Sequence, residues 1–249
     1  MLKKLIIKAP VFIITGVLLL SGCATPDSKN PTYVSSRTVQ AQLSDNDVFD
    51  SDLAHEITNE EIRITYDQPN MGVKLASHSP IILVQSGALV PDAVMQAEMA
   101  KYYQVSVYSG IPPTKPRVKK DSEGVIQNNY MKSLRLVAAK GKQPTVVVYW
   151  GSLEIGIYDE TSKSVLWSPY RGEKLPMNTK SLRYLMRFVA VDTRTGNWVM
   201  HSPLNTEIDY TAAPFGSQTN ELVQIDELKK NAYIAAASDF STRYQRIAK

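Results

Sequence analysis

The stretch from Thr145 to Tyr158 limits the fold more than any other. Val146, Val147, Val148, Tyr149 and Trp150 are consecutive and apolar, and the pattern then alternates at Leu153, Ile155 and Ile157. A short unbroken apolar run reads as a buried strand, and a period of two as a strand with one wet face. The segment Asp159 to Ser164 turns this strand back into Val165-Leu166-Trp167. A sheet therefore organises the chain, and the remaining periodicities say what covers it. Pro80-Ile81-Ile82-Leu83-Val84, Val105 to Tyr108 and Leu182 to Val191 read as further strands, and Ile62 to Tyr66 as a short one. A helix is expected after Val90, with Pro91 near its first position, Asp92 near its positive end, and Val94, Met95, Met99 and Tyr102 at helical spacing. A second runs from about Val125 to Lys140, stopped by Gly141. The third is long, from about Asn220 to Ile247, with a stripe through Leu222, Ile225, Leu228 or Lys229, Ala232, Ala236, Phe240 and Tyr244. Strands interleaved with helices, then hairpins, then a closing helix give an α/β (α+β) fold: a mixed β-sheet with helices packed on it and a long C-terminal helix.

The first 23 residues carry an address. Lys3 and Lys4 precede an apolar run from Ala9 to Leu20, and Ser21, Gly22 and Cys23 follow. About a dozen apolar residues suit an export signal, since a membrane-spanning helix needs about 20. Leu20-Ser21-Gly22-Cys23 resembles a bacterial lipobox, and Cys23 is the only cysteine in 249 residues. The resemblance implies that Cys23 is acylated and becomes the first residue of the mature protein. Several acyl chains hold firmly where one holds marginally. Ala24, in place of Asp, goes with transfer to the outer membrane in Gram-negative lipoproteins, so the expected location is that membrane, lipid-anchored and facing the periplasm. Residues 1–22 are then a signal peptide. Residues 23–58 are the lipidated cysteine and a flexible tether, with too few apolar side chains to offset their ordering entropy. Fully stretched, such a tether reaches about 100 Å, and roughly a third of that as a coil. Residues 59–249 are a single periplasmic domain.

Charge and motifs narrow the chemistry. Without Lys3, Lys4 and Lys8, the 28 basic residues fall to 25 against 24 acidic ones, a balance that gives no electrostatic case for nucleic acid. His55, His78 and His201 have no ligand-type neighbour at metal spacing, so neither a metal nor a cofactor is expected. Nucleophile-elbow, dinucleotide and P-loop patterns do not occur. The acidic run from Asp45 to Glu61 lacks the turn glycine of a calcium loop and reads as solvated.

Val191-Asp192-Thr193-Arg194-Thr195-Gly196-Asn197-Trp198-Val199 and the Ala-rich helix around Lys230 to Ala237 resemble a group of envelope lipoproteins. That group includes the amino-terminal domain of TolB, outer-membrane activators of penicillin-binding proteins, flagellar outer-membrane lipoproteins and the curli-secretion channel. The resemblance implies a partner that is an envelope protein or is associated with peptidoglycan, with the number of copies in the assembly open. Short alternating segments at 153–158 and 165–169 fall below the 9 to 11 residues of a barrel strand, which disfavours a pore. The expected protein is a non-catalytic binding, assembly or regulatory factor of a cell-envelope complex. Its rivals are a subunit of a secretion channel or surface appendage, and an envelope hydrolase. The expected docking surface is the proline-rich loop at 111–124, with Lys115, Arg117, Lys119 and Lys120 and the aromatics Tyr108 and Tyr170.

Overall fold

The computed structural model of the protein describes residues 42–49, 56–67, 72–113, 129–212 and 218–245. The signal segment 1–22, Cys23, most of the expected tether and the cluster Lys115, Arg117, Lys119 and Lys120 lie outside the described residues.

Seven strands form one mixed sheet: β1 (Pro80–Gln85), β2 (Gln104–Tyr108), β3 (Thr145–Asp159), β4 (Ser164–Pro169), β5 (Thr179–Asp192), β6 (Trp198–His201) and β7 (Thr206–Asp209). β1 is parallel to β2 on one side and β3 on the other, whereas β3, β5 and their remaining neighbours are antiparallel. The 15 residues of β3 and 14 of β5 are long enough to serve two sheet halves in succession. β1 flanks β3 as far as Tyr149, and β4 flanks it from Glu154 onward. Likewise β7 pairs with β5 from Ser181 to Tyr184 and β6 from Phe188 to Val191. The change at Trp150 from an unbroken apolar run to alternation is the point where the strand passes from one half to the other.

Helices cover both faces of the first half. On one face, α3 (Ala93–Ala100) and α5 (Gln218–Tyr244) pack Met95, Met99, Leu228, Ala232, Tyr233, Ala236 and Phe240 against Leu83, Tyr149 and Phe188. On the other, α4 (Tyr130–Lys140) packs Met131, Leu134 and Ala138 against Val84, Val148 and Val189. Each fully buried large side chain contributes about 1.5–3 kcal/mol of apolar transfer. The mixed sheet, its covering helices and the long terminal helix are as the sequence predicts.

Four local expectations are corrected. Residues 62–66 are not a strand; they belong to α2 (Asn59–Asp67). Thr58 Oγ1 accepts from the Glu61 amide, Glu60 and Glu61 sit at the positive end, and Arg63 pairs with Glu60 and Asp67 along one face. Second, residues 42–49 are packed and are no tether: Leu43, Val48 and Phe49 are buried with the second core, the last two within α1 (Asp45–Phe49). Ser44 and Asp47 cap each other reciprocally, which starts this short helix. Third, Leu222 of the expected stripe is 55% exposed, and Tyr233 takes a core place beside Ala232. Finally, α4 is described from Tyr130, with Asn129 Oδ1 accepting from the Lys132 amide, and residues 125–128 lie outside the described residues.

The Asp192 to Gly196 turn has a conformational explanation. Asp192 Oδ1 accepts from the amides of Arg194 and Thr195 at 2.9 and 2.7 Å, and Gly196 has φ +84°. Arg135 of α4 donates to the Thr193 and Arg194 carbonyls, pinning the turn to the helix.

Candidate functional site

The sheet order β2-β1-β3 places a reversal of winding at β1. In open α/β sheets, ligands bind beyond the carboxyl ends of the strands on either side of such a reversal. Here that crevice lies beyond Gln85 of β1 and Tyr149 of β3, which are level in the register. Its own side chains fill it.

Asp92 sits at the start of α3 with β-like ψ, where an aspartate ordinarily caps the helix amides. Its carboxylate turns elsewhere: Oδ2 takes Lys229 Nζ at 2.7 Å, the Tyr233 hydroxyl at 2.5 Å and Gln85 Nε2 at 3.2 Å. Gln85 Oε1 accepts from the Asp92 amide and from the Tyr149 hydroxyl, both at 2.7 Å, and the Tyr184 and Tyr233 hydroxyls lie 3.3 Å apart. Gly151 makes room for this ring, since a Cβ there would stand 2.4 Å from the Tyr184 hydroxyl.

The electrostatics follow from partial burial. Burial raises the Asp92 carboxyl, but donation from Lys229 and Tyr233 outweighs it and the net shift is downward. Burial lowers Lys229, Asp92 outweighs it, and the ammonium is held above its usual range. Burial pushes the Tyr149, Tyr184 and Tyr233 hydroxyls upward. A general base at neutral pH works best with a pKa near the operating pH, and all these groups move away from it. The cluster ties α3, α5 and three strands, β1, β3 and β5, together.

On the opposite face of the crevice, the Leu43 amide donates to Ser86 Oγ at 2.8 Å and the Leu43 carbonyl accepts from Trp150 Nε1 at 3.0 Å. Asp45 pairs with Arg187 at 3.3 Å, and the Phe49 ring lies 4.5 Å from that of Trp198. Residues 42–49 thus close the second face down to Trp150.

Among the described residues that face is open beyond Trp150: no side chain of the second core lies further along β3 than Trp150 or earlier on β5 than Val189. Two stacked pairs stand there: Arg187 over Trp150, with its guanidinium carbon 4.2 Å from the ring centroid, and Arg183 over Trp167 at 4.1 Å. Arg183 also meets Glu154 at 2.6 Å. Beside the first pair runs a shallow groove of about 270 Å³, lined by Trp150, Ser152, Leu185, Arg187, Ser202 and Asn205. Such aromatic–cation pairs offer broad apolar area with polar edges, and the exposed Ser152, Ser202 and Asn205 lie beside the pair at Trp150.

The expected aromatics are not brought together. Tyr108 ends the outer strand β2, is 39% exposed, and is level with Val84 and Val148 in the register. Tyr170 follows β4, donates its amide to the Leu153 carbonyl, and packs against the first core. Leu153 is five residues beyond Val148, so about 16 Å separates the two along the strands alone. Sequence reasoning missed Arg183 and Arg187, whose alternation with Leu182, Tyr184, Met186 and Phe188 was the available signal.

Among the described residues, no helix is long and apolar enough to cross a membrane, and no three His, Cys, Asp or Glu side chains are placed to hold a metal ion. No curated protein matches the chain. The model of the YafT bacterial lipoprotein family matches residues 44–243, from the first turn of α1 to the last turn of α5, and by this match over most of its length the chain belongs to that family of membrane-anchored envelope lipoproteins.

Proposed function

We propose that the protein is a non-catalytic binding or assembly factor of a cell-envelope complex, held by lipid on Cys23 at the periplasmic face of the outer membrane. The observation that carries this reading is the open half of the second sheet face, with Trp150 and Trp167 each covered by an arginine and a shallow groove beside Trp150. Stacked arginines lose less on binding than free ones, because their geometry is already set. The most elaborate polar cluster, around Asp92, spends its charges on its own neighbours and leaves the open face as the place to meet a partner. That partner is an envelope protein or a peptidoglycan-associated one. Ala24 after Cys23 supports the outer membrane.

The reading is tested by placing glutamates at Ser152 and Asn205, two exposed groove positions without structural bonds to lose, and recovering partners from crosslinked envelopes. Recovery should fall while the fold stays intact. A measured hydrolytic turnover by the wild-type protein that the double variant retains would favour the hydrolase instead.

A further inference from the structure

The first half of the sheet ends at β2, which pairs with β1; among the described residues no strand lies on its outer side. An edge strand holds a row of unpaired amides and carbonyls, and proteins usually protect it with a charge, a proline or a very short length. The other outer strands show such devices. β7 carries Glu207 and Asp209, β4 ends at Pro169, and β6 has four residues with its His201 tied to Asp239 of α5. β2 reads Gln104-Val105-Ser106-Val107-Tyr108, with neither charge nor proline. Ser106, Val107 and Tyr108 are exposed, and Val105 is half-buried against the first core.

The register fixes which groups face outward. The Gln104 amide donates to the Ser79 carbonyl, so Gln104 faces β1. Alternate residues of a strand in a parallel ladder bond to the same neighbour, so Ser106 and Tyr108 also face β1. Val105 and Val107 therefore present their amides and carbonyls at the outer edge. Both the residue types and the phase of these outward groups are symmetric about Ser106.

We infer that β2 is a self-association edge, pairing antiparallel with β2 of a second copy of this chain about a two-fold axis at Ser106. Val105 of each copy then lies opposite Val107 of the other as a hydrogen-bonded pair, and the two Ser106 residues form the non-bonded pair between them. Every outward amide and carbonyl of the valines finds its partner. Val107, 40% exposed, is covered by the valine across from it, since both valines lie on one face of the sheet. A two-fold interface must complement itself, and an uncharged strand symmetric about its centre does so without like charges meeting across the axis. That symmetry selects a second copy as the occupant. β2 takes no part in the groove beside Trp150, so both surfaces can be used at once.

The test is a disulfide scan of the full lipoprotein in intact envelopes, and the wild type, whose only cysteine is Cys23, supplies the blank. Across the axis the two Ser106 Cα atoms would stand about 4.5 Å apart, within the reach of a disulfide. Two copies of residue 104, or of residue 108, would stand about 13 Å apart, beyond it. The Ser106 hydroxyl takes a bond from Gln143 Nε2 at 2.5 Å, which a thiol can still accept. Under mild oxidation Ser106→Cys should give a band of twice the monomer mass on non-reducing gels. Gln104→Cys and Tyr108→Cys should each give none alone, and their co-expression should restore the band, because these positions face each other across the axis. Val107→Pro removes an outward amide and no bond to β1, so it should abolish the Ser106→Cys band with melting temperature unchanged. Val107→Lys, which keeps the backbone amide, should weaken the band by charging the edge. No band at 106, or equal bands at 104, 106 and 108, would overturn the inference. So would a band at 106 that survives both Val107 substitutions. Loss of a different protein from crosslinked envelopes on Val107→Lys, with no band at 106, would also overturn it, because the edge would then take a foreign strand. The groove variant Ser152→Glu/Asn205→Glu should leave the band unchanged, which separates this edge from the proposed partner site.

Discussion

Lys229, halfway along α5, meets Asp92 at the head of α3 with nitrogen and oxygen 2.7 Å apart and each side chain about one-third exposed. Asp92 keeps two other donors, Tyr233 and Gln85, whereas Lys229 has its strongest anionic contact there. Their removal should therefore have unequal effects. Asp92→Ala strips the acceptor from three donors and should lower unfolding free energy by about 2 kcal/mol in urea titration. Lys229→Met should cost less than half as much, because the pair is partly solvated and the carboxylate keeps its remaining bonds. Equal costs would mean that the ion pair itself dominates.

The same cluster sets the pH range of stability. Tyr149, Tyr184, Tyr233 and Lys229 all hold their protons more tightly folded than unfolded. Their contribution is full below the unfolded values near 10 and is lost as pH rises through the raised folded values. Asp92 is lowered, so its contribution is present above the unfolded value near 4 and is lost as pH falls through the folded one. Melting temperature should fall above about pH 10, with the phenolate absorbance of the buried Tyr149, Tyr184 and Tyr233 appearing only together with unfolding. Gradual appearance of all phenolates in a folded protein would contradict the buried hydroxyl cluster.

Gly110→Ala should be far more damaging than an ordinary loop change. The new Cβ would press on the Gln85 backbone, which cannot move without breaking the pairing of β1 with β3. Destabilisation of about 3 kcal/mol is expected by chemical denaturation. A loss near zero would show that the loops after β1 and β2 separate easily.

Burial of Leu43, Val48 and Phe49 predicts that Leu43→Ala and Phe49→Ala each lower stability by about 2–4 kcal/mol. Chymotrypsin should leave the bonds after Leu43 and Phe49 intact in the wild type, but cut after Phe49 in Leu43→Ala and after Leu43 in Phe49→Ala. Early cleavage at either bond in the wild type would restore these residues to the tether.

Strands β1, β3 and β5 and the helix α5 were legible because each carries a long run of one period. The misreadings are short or locally mixed. Ile62, Ile64 and Tyr66 alternate as in a strand, yet Thr58, Glu60, Glu61 and Arg63 supply capping and spaced ion pairs that favour a helix. α1 is five residues long, and its Ser44-x-x-Asp47 signature lay inside an acidic run whose composition suggested solvation. β7 offers one large apolar residue, Ile208, so its existence depends on pairing with β5. The open face was hidden for another reason. Arg183 and Arg187 look like ordinary outward residues of an alternating strand, and only the register sets Arg183 beside Glu154 and Arg187 beside Trp150. Membership of a lipoprotein family agrees with what the leader sequence implies. The finer likeness to TolB and its associates has as its local motif a turn whose residues are explained by conformation.

Cys23 is expected to carry the lipid. Cys23→Ser should move the protein from the outer-membrane fraction to the soluble periplasmic fraction with its fold unchanged, and unchanged outer-membrane fractionation would contradict the anchor.

The central claim is that the open half of the sheet, and not a catalytic centre, is where the protein acts. The most direct measurement is quantitative recovery of crosslinked envelope partners by the full lipoprotein against its Ser152→Glu/Asn205→Glu variant. Both substitutions are exposed, so the melting temperature should stay within about 2 °C of wild type. The account predicts that recovery of specific partners falls to background in the stable variant. Undiminished recovery from a variant that folds normally would contradict it.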